Sequence, residues 1–363
     1  MGNSNLSRAK SAKNDEFYTQ YADIQKEINA YLEYDKDVFR DKTILLPCDD
    51  PEWSNFTKFF AQNFENFGLK KLISTSYAID SKYDLYGQIE LNEDADFVKS
   101  SPNYDCSKNS KKGKIFTLTR KNKKVDYNDL EWKYLEGDGD FRSDEVKKIR
   151  DEADFIITNP PFSLFREFIA WLFEADKKFV IIGNKNCITY KEVFPLIKDN
   201  KLWVGKTPMG IDLLFRTPKN NTLLADKKEG SGYRIIDNQI YARAQAVWFT
   251  NIDHGRRHKP LELMTMADNI KFNKKIKDCP YPKYDNYDAI EVCVTNGIPS
   301  DYDGVMGVPI SFLDKFCPEQ FEIVGLVAGN IKGLAGIVSK FGKDGPYING
   351  KLKYGRIFIR KKI

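Results

Sequence analysis

The chain has 363 residues, of which 41% are hydrophobic and 13% aromatic, enough for roughly two domains with cores of their own. A net charge of +5 suits a polyanionic partner without requiring one. Six scattered cysteines with no CxxC pair argue against a zinc site and a disulfide framework, and no apolar run reaches the length of a membrane span.

The first twenty residues, "MGNSNLSRAKSAKNDEFYTQ", are polar and basic and lack the apolar core of a signal peptide. Leu6 stands where myristoylation needs Ser or Thr. The expectation is a soluble, cytoplasmic chain with no membrane partner, and a monomer. "KTILLPC" predicts a buried strand, and "PEWSNFTKFFAQNFENFG" an amphipathic helix closed by Gly68. "LKKLISTSY" predicts a second strand. From about residue 80 to 128 the pattern degrades into a polar insert containing "SKNSKKGK" and "RKNKK", which fits either a solvated hairpin or loop or a phosphate-contacting surface.

"DLEWKYLEGDGDF" carries a third strand that ends in a Gly/Asp turn. "ADFIITNPPF" carries the fourth, "SLFREFIAWLFEADK" the next helix and "KFVIIGNKN" the fifth strand. Strands alternating with helices predict parallel βαβ units, hence an α/β fold with a doubly wound, Rossmann-like sheet. Beyond Lys201 the segments "KLWVGKT", "IDLLFRT" and "AQAVWFTNI" look like strands without long helices between them. From about His258 the chain is rich in turns and short strands. Residues 1–255 are expected to hold the sheet and residues 256–363 a separate C-terminal region.

The stretch that points to chemistry is "DFIITNPPFSLF", residues 154–165. In an open parallel sheet, ligands sit outside the carboxyl ends of the strands. Pro160 and Pro161 restrict their own φ and the residues before them. The carbonyl of Pro160 is thereby aimed beside the carboxamide oxygen of Asn159, giving two neutral acceptors, with the apolar face of Phe162 next to them. This arrangement suits a planar heterocycle bearing an exocyclic NH2, with two N–H donors on the acceptors and the ring stacked on the aromatic. A proline-stiffened loop with an ordinary buried Phe is the plain alternative.

These residues resemble the catalytic motif of S-adenosylmethionine-dependent amino-group methyltransferases, in the Asn-Pro-Pro-aromatic form of adenine-N6 enzymes. The wider chain resembles the EcoRI-type adenine-specific DNA methyltransferases: "KNDEFYTQYADIQKEI", "CDDPEWSNFTKFFAQNF", "LEGDGDFRSDE", "AQAVWFTNIDHGRRHKPLEL" and "GVPISFLDKFCPEQFEIVG" follow that pattern in order. The resemblance implies a site-specific enzyme that moves a methyl group from S-adenosylmethionine to a flipped adenine in double-stranded DNA. It also implies a restriction-modification setting with a possible cognate endonuclease. Asn159, Pro160, Pro161 and Phe162 would hold and stack the adenine. Phe17, Tyr18 and Thr19 resemble the family's N-terminal cofactor motif, and Asp140–Phe141 the pair that faces the cofactor's adenine. Cys48, Asp49 and Asp50 replace the usual Phe-x-Gly-x-Gly turn. Either aspartate could receive the cofactor's ammonium, or could instead cap the next helix. Ser76 and Tyr77 occupy the place of the acidic residue expected on the ribose.

The C-terminal region would recognise the target sequence, with Arg256, Arg257, Lys259, Lys271, Lys274 and Lys275 on phosphates or simply solvated. "GPYINGKL" has the spacing of a P-loop but puts Leu352 where Ser or Thr is needed, so a glycine-rich hairpin is expected. His254 and His258 are expected at the surface or on DNA rather than on a metal. The competing readings are an amino-group methyltransferase acting on RNA or on protein glutamine, and a DNA-binding protein that has lost catalysis.

Overall fold

The computed structural model describes residues 18–49, 54–78, 101–109, 111–120, 129–216, 230, 233–236, 239–328, 333–342 and 344–362. They fall into two compact units: Met1–Asn184 with Ile211–Ile252, and Lys185–Gly210 with Asp253–Ile363. The expected boundary near residue 255 differs from this division in one segment. Residues 185–210, read from the sequence as part of the catalytic domain, pack with the second unit.

The main sheet of the first unit contains β1 (Thr43–Leu46), β2 (Lys71–Ser76), β3 (Lys114–Thr119), β4 (Glu131–Tyr134), β5 (Phe155–Thr158), β6 (Lys178–Asn184) and β7 (Ala246–Thr250). Across the sheet the order is β4-β3-β2-β1-β5-β6-β7. β1 pairs parallel with β2 and β5, and β5 parallel with β6. β3 runs antiparallel to both β2 and β4, and β7 antiparallel to β6. β1, β2, β4, β5 and β6 therefore all point the same way, and their carboxyl ends share one rim.

The polar insert holds a finding the composition concealed. β3 lies within it, and the strand separates β2 from β4, which had been expected as consecutive strands. Lys114, Phe116 and Leu118 are buried while Ile115 and Thr117 are partly exposed, the alternation of a strand with one face on the core. Six residues of alternation between lysine clusters are easily outweighed by their flanks.

Helices α1 (Tyr21–Tyr34), α2 (Asn55–Gln62), α3 (Asp144–Glu152) and α4 (Phe165–Glu174) accompany the sheet. Phe39, Phe56, Phe59, Phe60, Phe64 and Trp248 are essentially fully buried; Phe39 meets Phe60 and Phe155 edge-to-face, as Phe59 meets Phe60 and Phe56 meets Trp248. α4 buries Phe165, Phe168, Ile169, Trp171 and Leu172. Gly183 in β6 makes room for it, because a Cβ there would lie 2.3 Å from the Phe165 ring. A small antiparallel sheet joins Tyr18–Thr19 to Leu213–Arg216, which continues to Gln239–Ala244 and Tyr233–Ile236.

The second unit has its own four-stranded sheet of β8 (Ala289–Glu291), β9 (Val305–Pro309), β10 (Phe321–Val327) and β11 (Arg356–Lys361), in the order β8-β9-β11-β10. Tyr284, Tyr287 and Phe358 lie in its core. Glu291, 3% exposed, takes paired hydrogen bonds from Arg356, whose Nη2 is 2.6 Å away. "GPYINGKL" is the expected hairpin: Tyr347–Ile348 pairs antiparallel with Lys351–Leu352 through Asn349 and Gly350, at φ of 50° and 71°. No helix among the described residues is long and apolar enough to cross a membrane.

Candidate active site

The turn after β5 switches the chain from extended to helical within a few residues. Pro161 sits at φ −55° and ψ 122°, Phe162–Leu164 forms a single 3-10 turn, and Leu164 N–H donates to the Pro161 carbonyl at 3.0 Å. α4 then begins at Phe165. Pro160 is buried, and Asn159 and Phe162 are half-buried, with Phe162 packed against the edge of the core. The carboxamide oxygen of Asn159 is itself shielded from solvent.

Asp49, 6% exposed at the end of β1, ties this turn to two distant segments. Thr158, immediately before Asn159, donates its hydroxyl to Asp49 Oδ2 at 2.5 Å. Ser54 donates to Asp49 Oδ1 at 2.7 Å and also caps α2 by accepting from Phe56 N–H at 3.0 Å. The Ser74 hydroxyl of β2 donates to the Asp49 backbone carbonyl. One residue further along α2, Asn55 Nδ2 donates to the Thr19 carbonyl at 2.7 Å. The Thr19 hydroxyl is buried and has no hydrogen-bond partner among the described residues. Segments around residues 19, 49 and 159 are thus stitched into one corner of the rim. The cap itself belongs to Ser54, and Asp49 holds that serine in place.

Ser54, Ser74 and Thr158 were not singled out from the sequence. Ser54 was the legible one, as a serine one residue ahead of an amphipathic run. Thr158 carried only its position before Asn159.

Asp140 and Phe141 follow β4. Gly139 has φ +86°, and a Cβ on it would lie 2.2 Å from the Ser76 carbonyl, so glycine lets this turn close on the end of β2. Ala78 N–H donates to the Asp138 carbonyl at 2.8 Å across the same junction. Burial pushes the Asp140 carboxyl up, but hydrogen bonds from Arg142 outweigh it and hold the group below the usual carboxylate range. Arg142 also reaches Glu167 at 2.9 Å. Phe141 is 4% exposed, its ring edge-on to Phe168 at 5.0 Å and to Trp171 at 5.7 Å. Cys48 is half-buried and forms no disulfide among the described residues, Ser76 is buried and Tyr77 half-buried. Phe17 and Asp50 lie outside the described residues. For Tyr18 the backbone alone is described, paired with Arg216.

In the second unit, the two arginines expected on phosphate are engaged internally. Arg257 is 6% exposed, with its guanidinium 3.6 Å from the Trp203 ring centroid and bonded to Asp253 at 2.9 Å and to Asn200 at 2.5 Å. Arg256 donates to the carbonyls of Lys206 and Gly205, with Asp314 at 3.7 Å. Besides Asp253 and Asp314, their partners come from residues 185–210, so these guanidiniums clamp that segment rather than face solvent. His254, expected at the surface, is 1% exposed, and burial pushes its pKa down to about 4. His258 lies between Asp253 and Glu319, at 2.9 and 3.0 Å. Lys259, Lys271, Lys274 and Lys275 are exposed, the last three on the short helices α5 (Met266–Phe272) and α6 (Lys274–Lys277).

Residues 5–362 match the family described as adenine-specific methyltransferase EcoRI. The chain belongs to that family. It is 41% identical to the Type II methyltransferase M.EcoRI of Escherichia coli, over 98% of this chain and 96% of that one. It is 32% identical to M.MpnI of Mycoplasma pneumoniae and 33% identical to M.MgeORF184P of Mycoplasma genitalium, each over 98% of both chains. No solved structure is a significant match.

Proposed function

We propose that the protein is a site-specific DNA adenine-N6 methyltransferase that uses S-adenosylmethionine and serves as the modification enzyme of a restriction-modification system. The observation that carries this reading is the corner in which Asp49 ties Thr158, next to Asn159, to the α2 cap and, through Asn55, to Thr19. The donor set suits the methionine end of S-adenosylmethionine. The buried Thr19 hydroxyl has a donor to offer a carboxylate, and the buried Asp49 carboxyl group is of the chemistry that an ammonium needs. When bound, that donor supplies a methyl group already activated by its sulfonium, so the protein's work is positioning.

The Asn159 carboxamide oxygen and the Pro160 carbonyl accept the hydrogens of the target amine. Drawing those hydrogens out of ring conjugation frees the nitrogen lone pair. Phe162 offers its face to the base. An adenine inside a duplex cannot reach such a rim, so it must leave the stack, at a cost of about a few kcal/mol. Asp140, held anionic by Arg142, borders the same rim toward the cofactor's adenosine half. The second unit is the region that reads duplex sequence, with Lys259, Lys271, Lys274 and Lys275 available to phosphates.

DNA from cells expressing the protein, mapped for N6-methyladenine, should carry the modification at one defined sequence. Absence of that mark, together with no methyl transfer to duplex DNA by purified protein, would overturn the reading.

A further inference from the structure

Residues 333–342 and 344–354 of the second unit are surface segments held to a buried base. Asn286 is 0% exposed and satisfies its whole amide there: Nδ2 donates to the Gly345 carbonyl at 2.9 Å and to Ser339 Oγ at 3.4 Å, and Oδ1 accepts from Tyr347 N–H at 3.2 Å. Its backbone carbonyl takes Lys340 N–H at 2.7 Å. Asp285 clamps the hairpin turn, accepting from Asn349 N–H at 3.1 Å and Gly350 N–H at 2.8 Å. Tyr287 donates to the Asp344 carbonyl at 3.0 Å and packs edge-on against Phe358. Three consecutive residues therefore bring both segments together and fix their backbones.

What these anchored segments present is unusual for a solvated surface. Tyr354 is 87% exposed, Val338 89% and Phe341 46%. Lys340, Lys351 and Lys353 are exposed between them, and none of the three forms an ion pair among the described residues. Ordered backbone, large apolar side chains in water and unpaired cations together describe a surface whose partner is both anionic and apolar. Duplex DNA fits, with phosphates for the ammonium groups and base edges and thymine methyls for the apolar side chains. By contrast, the arginines of the "GRRHK" segment are occupied within the unit.

We infer that residues 338–341 and 351–354, braced by Asp285–Asn286–Tyr287, form a DNA-contact surface of this enzyme. Lys351 and Lys353 neutralise phosphates, and Tyr354 and Phe341 contact base edges and help select the sequence. The inference rests on the proposed action on duplex DNA and adds the residues that read it.

The test uses full-length protein, with the recognised sequence first mapped from N6-methyladenine in cells expressing the wild type. Cofactor affinity and circular dichroism serve as folding controls, since every substituted side chain is exposed. Lys351→Glu with Lys353→Glu should weaken binding to cognate and unrelated duplexes alike by tenfold or more, and should reduce the slope of log affinity against log salt by about two. Tyr354→Ala should leave affinity for unrelated duplex within about twofold, while discrimination against single-base changes falls by tenfold or more. If wild-type protein methylates its site and these variants keep wild-type affinity, salt slope and discrimination, the surface is wrong although the enzyme reading stands. A wild type that marks no DNA would instead overturn the function itself.

Discussion

Two short 3-10 turns, Phe162–Leu164 in the first unit and Gly255–His258 in the second, both follow a strand closely and both carried a functional expectation. The first bends the chain from strand to helix within a few residues, because two prolines restrict its backbone. The second consists of long, flexible, charged side chains, and its arginines fold inward onto carbonyls and a tryptophan face. Rigid local chemistry transmits direction from sequence to surface. Charge does not, since a guanidinium on three methylenes can reach inward as easily as outward.

The largest expected effect breaks the first turn. Asn159→Ala should lower single-turnover methyl transfer by about 3 kcal/mol, roughly a hundredfold, while S-adenosylmethionine affinity stays within about twofold. Near-normal transfer by this variant would remove Asn159 from the chemistry.

The matching change in the second turn should act on stability. Arg257→Ala removes a cation from the Trp203 face and strips Asp253 and Asn200 of a partner, at an expected cost of about 2–3 kcal/mol in urea unfolding. Wild-type stability with reduced DNA affinity would reverse the comparison, and would return the arginine to the phosphates.

Phe162 sharpens the contrast, because it both packs on the core edge and faces the proposed base. Phe162→Ala should cost about 1–3 kcal/mol in transfer, whereas Phe162→Tyr or Trp retains activity. A duplex with 2-aminopurine at the target position should brighten on binding the wild type. Tight binding and turnover without any brightening would count against extrusion of the base.

The smallest effect is a pH dependence of stability set by the second turn. Hydrogen bonding to Asp253, and also to Glu319, outweighs partial burial and raises the His258 pKa above its ordinary 6.5. The stability it contributes is complete below about 6.5 and is lost as pH rises through the raised value. Burial keeps His254 neutral down to about 4, so its folded state loses stability as pH falls from 6.5 toward 4. The thermal midpoint should therefore decline on both sides of about pH 6.5, and His258→Gln should flatten the alkaline side. An unchanged alkaline slope in that variant would show that the two carboxylates do not hold its proton.

Much of the first unit was legible because short-range patterns carried it. Buried runs such as "TILL" and "FIIT" next to amphipathic helices specify parallel strands, and Asn-Pro-Pro-Phe specifies its own bend. β3 escaped because six alternating residues lay among lysines, although its period of two was present. The segment 185–210 could not be assigned to its unit from the chain, because its partners Asp253–Arg257 and Asp314 are separated from it by dozens to about a hundred residues. A truncation at Asp253 would accordingly deprive that segment of the residues it packs with. The sequence alone determined the strand-turn-helix unit at Asn159, since steric restriction by proline acts within adjacent residues. Only the tertiary structure decided that Asp49 joins Thr158 and Ser54, that Arg256 and Arg257 face inward, and that Asn286 braces two surface segments. Each of those outcomes depends on which distant polar group arrives to pair a buried one, and unpaired burial is too costly to leave that choice to local preference.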